Sequence, residues 1–312
     1  MTEIGKSAFE DCTGLTQITI PDSITEIGTG AFRGCAELTE MIVADGNSVY
    51  DSRNNCNAII ETRTNRIIAA CDITRIPESV TEIGDWAFCG CTGLTQIVIP
   101  NSVTKIGTGA FHGCTGLTQI AIPDSVMEIG EWSFQGCTGL TKFVVPDSIT
   151  KIGEWAFYNC TGLTQIVIPG SVTEIETGTF SGCTGLSQID IPDSVTRIGD
   201  RAFSGCTGLL RIAIPSAVME IEDGTFEDCT GLTKIVIPDS VTEIGQMAFS
   251  GCVRLSELTF LGLVKKISNF CEQTFMDCDN LVTVNVPTKK ADFYMKRLPA
   301  WMHDKIVEMP KE

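Results

Sequence analysis

The sequence predicts an α/β-type repeat solenoid, and three observations predict it. Phenylalanine recurs at 88, 111, 134, 157, 180, 203, 226 and 249, always at the same spacing. Within each step, aliphatic residues alternate with outward ones over a short run that ends in proline, as in Gln96-Ile97-Val98-Ile99-Pro100. The residue before each repeated cysteine (11, 34, 90, 113, 136, 159, 182, 205, 228, 251 and 277) is only ever Gly, Asn or Asp. A fixed period of about 20–50 residues signifies stacked supersecondary units rather than one central core.

The elements follow in order along one unit, Cys91 to Gly113. Ile97 and Ile99 alternate with Gln96 and Val98, so a strand there turns two aliphatics inward. Pro100 has no amide hydrogen to donate and ends the strand. Val103 and Ile106 return the chain to the core, and Ala110-Phe111 predict a short helical turn beneath it. Gly, Asn and Asp best tolerate a left-handed backbone, so the column before the cysteines is a turn. Phe9 and Phe32 share the same step, and Phe275 follows Phe249 after a slightly longer one. Each unit buries about seven apolar side chains at roughly 2 kcal/mol each. Ordering its backbone costs roughly 1–2 kcal/mol per residue. A lone coil cannot fold; stacked coils can.

Two segments interrupt the repeat. The spacing from Phe32 to Phe88 exceeds two full periods. Between them, Ala58-Ile59-Ile60-Glu61 and Arg66-Ile67-Ile68-Ala69 flank Thr62-Arg63-Thr64-Asn65, a hairpin signal. A four-residue loop pairs Ile60 with Ile67, Ile59 with Ile68 and Cys56 with Cys71. Antiparallel partners have Cα atoms ~4.5 or ~5.5 Å apart, within disulfide range. Cys56 and Cys71 are therefore the candidate disulfide in an oxidising compartment. After Val286-Pro287 the repeat stops. Lys289 to Lys305 predicts a helical cap interrupted by Pro299, and Ile306-Val307-Glu308 a short strand. The organisation expected is N-terminal repeats over 1–43, an irregular segment with the hairpin over 44–77, regular repeats over 78–288 and a cap over 289–312. Met1-Thr2-Glu3-Ile4-Gly5 matches Val80-Thr81-Glu82-Ile83-Gly84, the middle of a unit, so a fragment of a longer protein is expected.

Charge narrows the partners. The 312 residues carry 39 acidic and 22 basic side chains, a net charge of -17. Nucleic acid and anionic lipid surfaces would repel such a chain. No apolar run approaches the ~18 residues of a membrane-spanning helix, so membrane insertion is not expected. No basic-then-apolar export signal opens the sequence, which leaves a cytoplasmic location open.

Residues able to do chemistry follow the repeat instead of converging. Of 15 cysteines, those at 12, 35, 91, 114, 137, 160, 183, 206, 229, 252 and 278 share one column. Stacking sets them ~4.8 Å apart, wider than the ~3.8 Å Cβ spacing of a relaxed disulfide. They read as a buried thiol ladder of small hydrophobes. Cys89 falls in a variable column with Arg33, His112, Gln135, Tyr158 and Ser181 and is expected to be exposed. His112 and His303 read as solvated surface residues without a nucleophile. Four convergent ligands for zinc are absent. Paired carboxylates such as Glu82/Asp85 and Glu128/Glu131 recur with the repeat and lack specificity. The reading is no catalytic residue, no metal and no cofactor.

Two surfaces remain as candidate sites. The outward strand positions are Gln96, Val98, Gln119, Ala121, Lys142, Val144, Gln165, Val167, Gln188, Asp190, Arg211 and Ala213. They set a column of long polar side chains beside a column that is mostly small and apolar, a broad face suited to a protein partner. The second is an aromatic patch, Trp86, Trp132 and Trp155, two residues before each phenylalanine. Trp132 and Trp155 lie on adjacent coils and are expected to be neighbours.

The unit I-P-D-S-V-T-E-I-G-x-x-A-F-x-G-C-T-G-L-T-x-I, present from about 1 to 288, resembles the BspA-like leucine-rich-repeat family. Leu94, Ile97 and Ile99 supply its strand signature, and the phenylalanine step lies within the period of such repeats. The resemblance implies a curved right-handed solenoid with one parallel sheet on the concave face and short helical or 3-10 turns on the other side. It also implies a bacterial or protist surface protein. The function expected is a non-enzymatic protein-binding scaffold of an adhesin-like, cell-surface or secreted protein that binds host matrix or cell-surface proteins. An intracellular interaction scaffold and a carbohydrate-binding surface protein are the alternatives. Oligomeric state is left open.

Overall fold

The computed structural model describes residues 1–268 and 271–310. They divide into two compact units, Met1–Gly162 and Leu163–Glu312. Each is a β-solenoid of short parallel strands joined by turns.

In the first unit the strand predicted from the alternation appears at Gln17–Ile20 and Glu40–Val43, paired in parallel with Gln17 opposite Glu40 and Ile20 opposite Val43, whereas at Gln96–Ile99 the expected strand is reduced to an isolated parallel bridge of Val98 with Ala121. The offset equals the repeat period, so these coils stack in register and like residues face like residues. A second parallel ladder, not read from the sequence, runs through Glu82–Ile83, Lys105–Ile106, Glu128–Ile129 and Lys151–Ile152. Its isoleucines are buried, while its outer side chains alternate in charge, and Glu82 holds both Arg66 at 3.3 Å and Lys105 at 3.5 Å.

The helical turn expected at Ala110-Phe111 is a hydrogen-bonded turn instead. Its amides are taken by the next coil: Phe88 N–H donates to Ala110 O at 2.8 Å, Phe111 to Ser133 O at 2.7 Å and Phe134 to Ala156 O at 2.8 Å. An α-helix needs those donors for its own preceding turn, so the inter-coil ladder and a helix exclude each other here. The phenylalanine rings follow the ladder and stack at centroid distances of 5.0, 5.4 and 5.5 Å from Phe88 to Phe157. Phe143 wedges edge-on against Phe134 and Phe157 at 5.1 and 4.8 Å.

All eleven residues before the repeated cysteines have positive φ, between 55° and 79°. That turn column directs each thiol inward, where it does more than fill space. Cys114 Sγ donates to Phe88 O, Cys137 to Phe111 O and Cys160 to Phe134 O, at 3.1, 3.1 and 3.0 Å. The thiols are thus rungs between coils, and the reading of them as hydrophobes alone is corrected. Cys12, in the first coil, is exposed. Burial pushes the Cys137 thiol from the ordinary 9.0 up to about 12.

The insert holds Tyr50–Asp51, Ala58–Glu61 and Arg66–Ala70 as strands. Ile60 faces Ile67 and Glu61 faces Arg66 as the loop length requires. The expected pairing of Ile59 with Ile68 is overturned: a bulge follows, so Ile59 faces Ala69 and Ala58 faces Ala70. One extra residue on the second strand is absorbed at Ile68, which removes the register that set Cys56 against Cys71. Both are buried and free; Cys56 Sγ donates to Ala58 O at 3.7 Å and Cys71 Sγ to Asn57 O at 3.4 Å.

The second unit repeats the same plan. Glu220–Ile221, Glu243–Ile244 and Lys266–Ile267 form one parallel ladder. Lys234–Ile237, Glu257–Phe260, Thr283–Val286 and Ile306–Glu308 form another. Its phenylalanine stack continues from Phe180 to Phe275 at 5.5–5.8 Å. The helix Ala291–Met295 lays Tyr294 against Phe260 at 4.6 Å, and the tyrosine hydroxyl donates to Gly262 O at 2.7 Å. That buried, hydrogen-bonded ring anchors the cap.

Two outcomes follow from the thiol rungs. Cys137→Ser should lose no more stability in urea unfolding than Cys137→Ala, about 1 kcal/mol each, because the hydroxyl inherits the Phe111 carbonyl. A serine loss well beyond the alanine one would mean a stranded hydroxyl and contradict the rung. The raised thiols also fix a pH sign: folded chain holds protons that unfolded chain releases above the ordinary value of 9.0. Thermal stability should therefore be insensitive to thiol ionisation below about pH 8 and fall progressively between about 9 and about 12.

Candidate functional site

The outward strand positions lie where the alternation puts them. In the first unit Gln96, Val98, Gln119, Ala121, Lys142 and Val144 are all exposed, while Ile99, Ile120, Phe143 and Val145 beside them are buried. In the second unit the same holds for Gln165, Val167, Gln188, Asp190, Arg211 and Ala213 over buried Ile166, Ile189 and Ile212. Neighbouring polar side chains bond along the column, as Arg211 does to Gln188 Oε1 at 2.6 Å. A furrow of about 450 Å3 in the second unit is lined by Thr164–Ile168 and Ser187–Asp190. A larger groove of about 880 Å3 in the first unit is bounded by 72–78 on one side and by 96–100 and 119–121 on the other.

The tryptophans occupy a second left-handed column. Trp86, Trp132 and Trp155 have φ of 60°, 53° and 56°, and Gly30, Gly109, Gly178 and Gly224 share the column and the sign. A bulky residue with positive φ is costly, of order 1–3 kcal/mol. What holds Trp86 there is visible. Its amide donates to Thr108 O at 2.8 Å, and Arg33 lies 4.6 Å above its ring. Gly109 leaves the other face bare, where a Cβ would meet Trp86 Cε3 at 2.3 Å. The ring crosses that gap and meets Trp132, two coils on, at 6.2 Å with a 32° tilt. Trp132 is 37% exposed. Trp132 and Trp155 are neighbours on adjacent coils, Trp132 N–H donating to Glu154 O at 3.0 Å, but their rings part: Trp155 packs edge-on against Tyr158 at 5.3 Å, and no ring contact joins it to Trp132 among the described residues. The glycine gap lets rings of alternate coils, Trp86 and Trp132, meet.

Beside Trp86, two further expectations are corrected. Cys89 is 7% exposed, not solvent-facing, because Arg33 and His112 on neighbouring coils close over its small side chain. His112 is half-buried, with its ring 5.5 Å from Trp86 and its Nδ1 3.4 Å from Cys89 Sγ. Burial, opposed by Arg33, pushes the Cys89 thiol up to about 12. Burial and then Arg33 hold His112 below its ordinary value. At neutral pH the pair is a neutral thiol beside a neutral imidazole, which lacks the thiolate a cysteine nucleophile requires. His303 is half-buried too and bonds Leu298 O at 3.1 Å. Among the described residues no three His, Cys, Asp or Glu side chains are grouped to hold a metal ion, and no helix is long and apolar enough to cross a membrane.

If Gly109 is the gap that admits the Trp86 ring, Gly109→Ala should cost about 1–3 kcal/mol and shift the tryptophan emission. Adding Trp86→Ala should restore part of that stability. An additive double mutant would separate the glycine from the ring.

Known proteins carry the same architecture. The model of the BspA type leucine-rich repeat region matches in six copies over 1–67, 68–187 and 179–296. A crystal structure of a leucine rich cell surface protein from Faecalibacterium prausnitzii A2-165 is similar at 26% identity and a TM-score of 0.51, covering 96% of this chain and 86% of that one. A leucine-rich repeat protein from Bacteroides ovatus ATCC 8483 shares the fold at 24% identity and a TM-score of 0.53, over 99% and 88% of the two chains. A third, from Eubacterium ventriosum ATCC 27560, does so at 24% identity and a TM-score of 0.59, over 80% and 62%. No curated protein matches the chain. The repeat, its stacked coils and the family model together make this chain a member of the BspA-type leucine-rich-repeat family.

Proposed function

We propose that the chain is a non-enzymatic protein-binding scaffold of a surface or secreted, adhesin-like protein, and that its strand face is where partners dock. The observation that carries this reading is the combination of exposure and chemistry on that face. Ala121 and Val144 are exposed in one column beside Gln119 and Lys142 in the next. Exposed aliphatics on a rigid, hydrogen-bonded surface provide apolar area for a partner at little entropic cost, and the polar column provides orientation. The net charge of -17 favours partners with basic surfaces. Host matrix and cell-surface proteins are the proposed partners, and similarity to a bacterial cell surface protein supports an outward location.

A cytoplasmic scaffold would use the same face, and antibody labelling of intact cells separates the two locations. The carbohydrate reading, through Trp132 and Trp155, has less support, since Trp132 packs against Trp86 and Trp155 edge-on against Tyr158 instead of forming one shared platform.

The test is binding of the purified chain to immobilised host matrix proteins. Ala121→Glu with Val144→Glu places two charges on exposed positions, so circular dichroism should be unchanged while binding is lost. Retained binding would contradict the strand-face reading.

A further inference from the structure

The aromatic column of the first unit forms a stack that is covered at one end and open at the other. At the covered end the Arg33 guanidinium lies 4.6 Å over the Trp86 ring and holds Glu10 at 3.3 Å. Trp86 then meets Trp132 across the Gly109 gap at 6.2 Å. The following coil carries Trp155, which is placed to continue the stack, but its ring turns to Tyr158 at 5.3 Å. Trp132 is therefore the terminal ring. It is 37% exposed, whereas Trp86 and Trp155 are half-buried. Its backbone is fixed, with φ at 53° and the amide donating to Glu154 O at 3.0 Å. An indole held this way loses little freedom when a partner covers it.

Charge defines what fits the open end. Glu131 precedes Trp132 in the chain, and Glu154 on the next coil takes its amide; both glutamates are exposed. They occupy one column, one repeat apart, so the register that aligns the coils sets two like charges on neighbouring coils. Elsewhere in that column Asp85 is paired with Arg66 at 3.1 Å. Neither Glu131 nor Glu154 has a basic partner among the described residues. The bases of nearby coils are committed: Lys105 to Glu82 at 3.5 Å, Arg33 to Glu10, and Lys151 opposite Glu128. Two uncompensated carboxylates thus adjoin one exposed indole. A guanidinium suits both, since its plane stacks on an indole and its N–H groups donate to carboxylates. Arg33 makes that same pair of contacts, with Trp86 and Glu10.

We infer that Trp132, with Glu131 and Glu154, is a docking point for an arginine side chain of a protein partner. The guanidinium covers the open end of the Trp86–Trp132 pair and donates to the two carboxylates, as Arg33 covers Trp86 and holds Glu10. This contact surface is separate from the strand face and stands or falls without it.

The experiment follows the indole N–H signals of the full chain by NMR as acetyl-Gly-Arg-Gly-Arg-Gly-amide is added. The Trp132 signal is identified by its loss in Trp132→Phe. Peptides with lysine or glutamate in place of arginine are the companions. A saturable shift of the Trp132 signal is expected with the arginine peptide. The lysine peptide should bind about threefold more weakly or worse, and the glutamate peptide should leave the signal unmoved. Glu131→Gln with Glu154→Gln should weaken arginine binding by about fivefold or more with an unchanged circular dichroism spectrum. Asp193→Asn with Asp239→Asn removes the same charge from exposed positions of the second unit and should bind like the parent. No saturable shift, equal binding of the lysine peptide, a response to the glutamate peptide, or equal effects of the two charge-removing pairs would each overturn the proposal.

Discussion

The structure depends on backbone hydrogen bonds made between coils, each coil offset from the next by one repeat period. They occur on three sides of a coil where the alternating run forms a strand. The alternating strand pairs with its successor, as Gln17–Ile20 does with Glu40–Val43. The Glu-Ile dipeptide pairs at Glu82 and Lys105. The turn before each cysteine also donates forward, from Phe88 to Ala110 and from Phe111 to Ser133. Because each coil spends donors on its neighbours, none can satisfy its own backbone alone, and buried unpaired amides are costly. Packing then follows register: phenylalanine stacks on phenylalanine, and thiols such as Cys114, Cys137 and Cys160 reach the carbonyl of the phenylalanine one coil back.

The same constraint organises the surface. Whatever residue occupies an outward position is repeated coil after coil, so charge or apolar area accumulates into columns. Like charges in a column would repel; from Glu82 to Lys151 the ladder avoids this by alternation, although Glu3 faces Glu26 and Glu220 faces Glu243. In the second unit Arg197 sits between Glu174, Glu176 and Glu222, at 3.6, 3.0 and 2.8 Å. These are partly exposed pairs and contribute modestly to stability. Their larger effect is to keep a strongly acidic chain from repelling itself along one edge. The strand face takes the other course: small apolar and long polar columns leave it accessible. Regularity makes the scaffold, and the one coil that breaks regularity makes the groove.

Most of the fold was legible because it repeats. The phenylalanine step, the inward isoleucines and the left-handed column before the cysteines each appear many times, and averaging over coils removes local ambiguity. What was illegible has local causes. The left-handed conformation of Trp86, Trp132 and Trp155 was masked by side chains that normally avoid it, although Gly30, Gly109, Gly178 and Gly224 in the same column carried the signal. The helical turn was inferred from Ala-Phe composition, which does not reveal that another coil takes the amides. The hairpin register failed at Ile68 because a bulge adds a residue without changing the pattern of aliphatics. Cys89 was placed outside by the polarity of its column, yet Arg33 and His112 cover it. On the strand face the outward positions were readable from alternation alone. The groove was not, since it arises from residues missing between Cys71 and Pro77.

The dependence on inter-coil bonding is open to one direct measurement, native-state amide hydrogen exchange resolved by residue. The amides of Phe88, Phe111 and Phe134 lie in turns, and a turn whose N–H faced water would exchange quickly. Here they donate to the following coil at 2.7–2.8 Å. The account predicts that they exchange as slowly as the ladder amides of Gly107 and Gly130, which bond Ile83 O and Ile106 O. Rapid exchange at the phenylalanines with slow exchange at those glycines would show that the turns are closed within each coil, and would contradict the account.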